Sequence, residues 1–108
     1  MNYEMTFAAL ADPSRRRVFE RLRDGPLSVG AIAAGMPISR PAVSQHLKVL
    51  KGAGLVVDRA EGTRRLYSVD PQGLAALRSW LDQFWGEALA AFQAEAERQP
   101  HERKGKRP

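Results

Sequence analysis

The chain contains no cysteine. That excludes disulfides, thiolate metal sites and a thiol redox switch. Histidine is nearly absent too, with His46 and His101 alone, and no metal or other cofactor is expected. No apolar run approaches the roughly 20 residues that a membrane-spanning helix needs. The N-terminus lacks a basic stretch followed by an apolar one, so no signal peptide is expected. A cytoplasmic chain without a membrane partner follows as the expectation. Paired acid and base groups, a glycine-rich phosphate loop and a nucleophile beside a base are all missing, so no enzyme is expected. Ser44 and His46 lie two residues apart on one predicted helix and do not face each other. Acidic residues are missing from a long internal stretch: neither Asp nor Glu occurs from residue 25 through 57.

What is present fits one compact domain. The 108 residues are 44% hydrophobic and carry a formal net charge of +5. A core of this size leaves a modest margin that dimerisation often supplements, and the charge favours polyanions. Residues 40–65 hold six cations against two acids, residues 98–108 five against one, and residues 72–97 one against four. The molecule is therefore polarised, with one basic docking side.

The most informative segment is ISRPAVSQHLKVL at 38–50. Val43, Leu47 and Leu50 recur at i, i+4 and i+7, the spacing of one buried helical face. Ser39 stands at the N-cap and Pro41 in the first turn, where a missing N–H costs little. Arg40, Ser44, Gln45 and Lys48 occupy the rest of the wheel, with His46 at its edge. Such a face suits DNA, with cations for phosphate and hydroxyls and amides for base edges. On this segment alone, an amphipathic surface helix that merely lacks acids is equally open.

Its neighbours narrow the choice. Residues 2–10 read as a helix with Tyr3, Phe7 and Leu10 on one face. Asp12-Pro13 starts a second helix, reaching about Asp24, with Val18, Phe19 and Leu22 inward and arginines over much of the remaining surface. Ser28 caps a small-residue helix ending near Gly35. A tight connector, Met36-Pro37-Ile38, leads to the segment above, which gives a helix-turn-helix. Leu55–Val57 and Leu66–Val69 read as two strands joined by a basic turn at 59–65. Residues 72–97 form the longest helix. Leu74, Leu77, Trp80, Leu81, Phe84, Trp85, Leu89 and Phe92 give it more apolar surface than its own domain can cover.

This order of parts is a winged helix-turn-helix, mainly α with a small β-hairpin. Three segments, FAALADPSRRRVFERL at 7–22, LSVGAIAAGMPISRPAVSQHLKVLKGAGLV at 27–56 and GTRRLYSVD at 62–70, resemble the ArsR-type family of bacterial transcriptional regulators. The resemblance covers roughly residues 5–95. It implies a homodimer through the first and last helices, a recognition helix in the major groove of each half of a promoter inverted repeat, half-sites about one helical turn apart, and usually repression. The metal-sensing branches of the family carry a Cys-x-Cys pair near the third helix or an Asp/His/Glu cluster on the last. Here the first position reads LSVGAIAAG, and residues 72–97 hold no histidine. The resemblance is therefore to the branch without the cysteine site, and the effector is not specified. A metal-responsive repressor using carboxylate ligands stays open, as does a non-specific or architectural nucleic-acid binder.

The candidate DNA contacts are Ser39, Arg40, Ser44, Gln45, His46 and Lys48 on the recognition helix and Arg59, Thr63, Arg64 and Arg65 on the wing. Ser44, Gln45 and His46 are assigned to base edges, and Arg40 and Lys48 to phosphates. Of Arg64 and Arg65, one is expected to enter a minor groove while the other points back along the strand. Tyr67 is expected to pack the hairpin. Arg15, Arg16 and Arg17 are read as a solvated helix face within reach of flanking phosphates. The candidate dimer interface is Tyr3, Phe7, Leu10, Leu77, Trp80, Leu81, Phe84, Trp85 and Leu89. The chain thus reads as a DNA-binding and dimerisation domain at 1–97, followed by a basic tail at 98–108 expected to be disordered.

Overall fold

The computed structural model describes residues 2–98. The expected tail at 98–108 falls outside the described residues except for Arg98. Five α-helices and one hairpin follow in order: α1 Tyr3–Ala11, α2 Pro13–Arg21 with a 3-10 turn at Leu22–Asp24, α3 Val29–Ala34, α4 Arg40–Gly52, β1 Val56–Glu61, β2 Arg64–Val69 and α5 Pro71–Arg98. The described chain divides into two units after Ala76, within α5.

Each short helix begins on a side-chain cap that satisfies a backbone donor with no partner inside the helix. Asn2, Asp12, Ser28 and Ser39 accept from the amides of Met5, Arg15, Ala31 and Ala42 at 3.0–3.3 Å. Asp70-Pro71 repeats the Asp12-Pro13 signal, and the Asp70 carboxylate accepts from Gln72 N at 3.0 Å. The end of α4 is equally defined. Gly54 adopts φ +81°, its amide bonds Lys51 O, and the Leu55 amide reaches Leu50 O, each at 3.0 Å. This is a Schellman stop, and its apolar pair, Leu50 and Leu55, is fully buried.

In the first unit the core is made by Val18, Leu22, Ile32, Val43, Leu47, Leu50, Leu55 and Val56, each at most 2% exposed. The α4 stripe thus lies inward as its spacing required. Each of those side chains contributes roughly 1.5–3 kcal/mol by leaving water. Phe19, predicted inward, is half-buried. On α1 the core face is Thr6 and Ala9. The single Thr6 hydroxyl proton lies within reach of Asn2 O at 3.1 Å and Ala53 O at 3.4 Å, which places the end of α4 against α1.

Two features differ from the sequence reading. The basic stretch at 59–65 is not a long turn. Its ends belong to the strands, which pair antiparallel from Val56↔Val69 to Glu61↔Arg64. Only Gly62 and Thr63 form the loop, with Gly62 at φ +65° in its first position, where a two-residue hairpin favours glycine. Second, Leu27 exchanges two backbone hydrogen bonds with Tyr67, at 2.8 and 2.9 Å, and so adds an isolated bridge to β2. That bridge ties the hairpin to the entrance of the helix-turn-helix. Tyr67 packs on the core, as expected.

Candidate nucleic-acid interface

With Val43, Leu47 and Leu50 buried, α4 turns Arg40, Ser44, Gln45 and Lys48 to solvent. Ser39 is exposed too, its hydroxyl held at the cap. No acidic side chain occurs on α4. The Arg40 guanidinium lies over Gly30, where a Cβ would stand 3.1 Å from it. A small residue at 30 on α3 therefore gives Arg40 its seat. His46 is half-buried at the rim of the face. It stands close to Asp12. The Asp12 carboxyl lies below its ordinary range first because it accepts the Arg15 backbone amide, with Arg15 and His46 charges adding to the effect.

On the hairpin, strand alternation sends Arg65 to one face with Asp58 and Tyr67, and Arg64 to the other with Arg59 and Glu61. The arginine of the pair that turns back is Arg65, whose guanidinium donates to Asp58 Oδ2 at 2.8 Å. Arg59 and Arg64 approach Glu61 at 3.5 and 3.7 Å. The wing is thus less nakedly basic than its sequence, since its three arginines share two carboxylates. The Glu61 pairs are long and exposed, so they contribute little and exchange readily for another anion. Arg59 lies opposite Leu66, inside the ladder and not at the loop. Thr63 sits exposed in the loop.

The helix-turn-helix and the hairpin find their counterparts among known proteins. A family model described as a helix-turn-helix domain matches residues 10–59. An HTH-type transcriptional regulator of Mycobacterium tuberculosis is 60% identical over 89 residues, covering 82% of this chain and 83% of the relative. The homodimeric winged helix-turn-helix DNA-binding domain of a possible ArsR-family regulator from Mycobacterium bovis superposes with a TM-score of 0.64 at 31% identity, over 81% of each chain. The chain belongs to the ArsR-type family of winged helix-turn-helix transcriptional regulators. A further relative, the transcriptional repressor SdpR of Bacillus subtilis, is 35% identical over 78 residues, 72% of this chain and 87% of that one.

In this ArsR-type regulator α3 and α4 form the helix-turn-helix and the hairpin is the wing. The sequence reading overlooked Lys51. It follows Ser44 and Lys48 at i+7 and i+3, so it extends the same exposed strip of α4. Its Nζ lies 2.7 Å from Asp58 Oδ1. The spacing alone could have placed it there. The sequence pattern places Arg15 and Arg16 on a solvated face. Arg15 Nε instead donates to Ala9 O at 2.7 Å and its fork reaches Ala8 O at 3.3 Å, while Arg16 donates to Leu10 O at 2.7 Å. These arginines of α2 close the C-terminus of α1.

The candidate dimer residues fall in both units. On α1, Tyr3 and Phe7 stack with centroids 6.5 Å apart, and Leu10 is half-buried. On α5, Leu77 and Trp80 are half-buried. Trp80 stacks parallel on Phe84 at 5.5 Å. Leu81, Phe84, Trp85 and Leu89 are 49–60% exposed. Among the described residues no helix is long and apolar enough to cross a membrane. Among them, too, no group of three or more His, Cys, Asp or Glu is placed to hold a metal ion.

Proposed function

We propose that this regulator binds double-stranded DNA as a homodimer and represses transcription from promoters carrying an inverted repeat. The observation that carries the reading is the exposed face of α4. A fully buried Val43–Leu47–Leu50 stripe fixes the helix, and the opposite side offers Arg40, Ser44, Gln45 and Lys48 with no acid among them. Gln45 can bond an adenine edge with two hydrogen bonds, and Ser44 can serve donor or acceptor edges. His46, at the rim, is the third base-edge candidate. Arg40 and Lys48 hold phosphates and set the register. Arg59, Thr63 and Arg64 carry the wing to flanking DNA, Arg64 being the arginine that faces away from Asp58.

The homodimer rests on two supports. The apolar side chains of α5 exposed at Leu81, Phe84, Trp85 and Leu89 need cover. The related Mycobacterium bovis domain is described as homodimeric. Two-fold symmetry of the protein then calls for two-fold symmetry of the site. Repression follows the related repressor of Bacillus subtilis, and the cytoplasm is where such a protein meets its promoters.

Genome-wide binding followed by footprinting tests the proposal, with the protein's own promoter inspected first. The expected result is protection of an inverted repeat that an operator duplex competes away and a scrambled duplex does not. Equal competition by the scrambled duplex refutes sequence-specific regulation and favours an architectural role.

A further inference from the structure

The geometry points to Asp58 as a restraint on sequence-independent DNA affinity: it holds Lys51 and Arg65 away from DNA phosphate. This rests on the proposal that α4 and the wing face DNA. Asp58 takes one cation on each oxygen, Lys51 on Oδ1 at 2.7 Å and Arg65 on Oδ2 at 2.8 Å. The carboxylate itself is only 8% exposed, whereas Lys51 and Arg65 are 57% and 54% exposed. The anion is therefore fixed beneath two cations that still reach solvent.

Both cations stand on the DNA-facing surfaces. Lys51 continues the Ser44–Lys48 strip at the end of the recognition helix, and Arg65 adjoins the wing loop. One buried carboxylate thus joins the last turn of the helix to the wing and neutralises charge on each. The other cations are held differently. Arg59 and Arg64 share the half-exposed Glu61 at 3.5 and 3.7 Å. Arg40 and Lys48 have no ion-pair partner among the described residues. These cations can turn to phosphate at little cost. Lys51 and Arg65 would each have to give up a short, direct contact with Asp58 at 2.7 or 2.8 Å, a larger loss than parting from Glu61. Phosphate contacts carry no sequence information. Withholding two of them lowers affinity for every sequence alike and limits the fraction of protein lost to random DNA.

Removing the charge releases the restraint. Each cation freed for phosphate steepens the plot of log affinity against log salt by about 0.9 on duplex DNA, on the order of fivefold in affinity near 0.15 M salt. The test titrates a scrambled duplex by fluorescence anisotropy across a salt series, using wild type, Asp58→Asn, Lys51→Gln, the double variant and Lys48→Ala. Asp58→Asn should bind more tightly, with a slope steeper by about one to two per protomer engaged. Lys51→Gln alone should leave the wild-type slope nearly unchanged, yet take back about one unit in the Asp58→Asn background. An unchanged or shallower slope for Asp58→Asn overturns the inference, and so does a Lys51→Gln variant that flattens the wild-type slope as much as Lys48→Ala does. If Asp58→Asn fails to fold, the comparison of Lys51→Gln with Lys48→Ala decides alone. Should Lys48→Ala itself leave the slope untouched, the placement of α4 on DNA is what fails.

Discussion

Three consecutive arginines in the first turns of α2 are an electrostatic oddity, because a helix N-terminus disfavours cations. The structure gives the reason. Asp12 both ends α1 and N-caps α2, so α1 stops with no glycine, no basic residue in its last turn and no room for a C-terminal turn of its own. Arg15 and Arg16 supply the missing donors to Ala8, Ala9 and Leu10 carbonyls. Arg15→Ala removes the 2.7 Å bond to Ala9 O and the 3.3 Å contact with Ala8 O together with a cation at the negative end of a helix dipole. Buried charge-assisted hydrogen bonds contribute about 1.5–3 kcal/mol each. The half-buried position and solvent screening reduce this, so the expected loss is about 1–2 kcal/mol in all. With a urea dependence of about 1–3 kcal/mol per molar, the unfolding midpoint should fall by roughly 0.3–2 M at one fixed protein concentration. Arg17→Ala is the control: its side chain is exposed, and the change should stay within about 0.5 kcal/mol. Arg15→Lys should recover part of the loss, keeping the charge but not the fork. If Arg15→Ala and Arg17→Ala shift the midpoint equally, the arginines do not cap α1 and the reasoning is refuted.

Gly62→Val places a β-branched residue at φ +65° in a two-residue loop, which should cost about 1–2 kcal/mol and loosen the wing, seen as faster amide exchange along β1 and β2. Leu47→Ala empties a site that is 1% exposed and should cost about 2–5 kcal/mol in urea unfolding. The Asp58 carboxyl lies below its ordinary value of 3.8, chiefly because the Lys51 ammonium bonds it, with Arg65 second. Its folded form therefore favours the ionised state. The stability this gives is full above the unfolded value and is withdrawn as pH falls through the lower folded one. The difference in unfolding midpoint between wild type and Asp58→Asn should shrink as the solution is acidified below 3.8. A difference that grows on acidification contradicts the assigned charge state.

Helical periodicity and caps made most of the fold legible in the sequence. The Val43–Leu47–Leu50 spacing, Ser39, Ser28 and Asp12-Pro13 each mark an element that the structure contains. Arg59–Arg65 is charged and poor in strand-forming residues, so the pattern ends both strands short of the loop. What extends it is cross-strand pairing of Asp58 with Arg65 and Glu61 with Arg64, visible only once the register is known. The Leu27–Tyr67 bridge joins residues 40 apart and leaves no local signature. Tyr3, Phe7 and Leu10 do share a spacing, yet the core face of α1 is Thr6 and Ala9. Small residues that allow close approach are not marked by hydrophobic pattern. The arginine caps escaped notice for a related reason: their partners are backbone carbonyls, which every sequence has. At the interface, residue types identified the α4 face, but its electrostatic balance depends on which cations are already held, and that is tertiary information.

The central claim is that α4 reads base edges, with Gln45 specifying and Lys48 positioning. It is tested most directly by the ratio of operator to scrambled-duplex affinity for Gln45→Ala and Lys48→Ala, each measured over a salt series. Gln45→Ala should lower that ratio by about 1–3 kcal/mol, roughly 5- to 150-fold, with the salt slope unchanged. Lys48→Ala should weaken both duplexes alike and reduce the slope by about one. A Gln45→Ala protein that keeps the full ratio while Lys48→Ala loses it would contradict this division of roles.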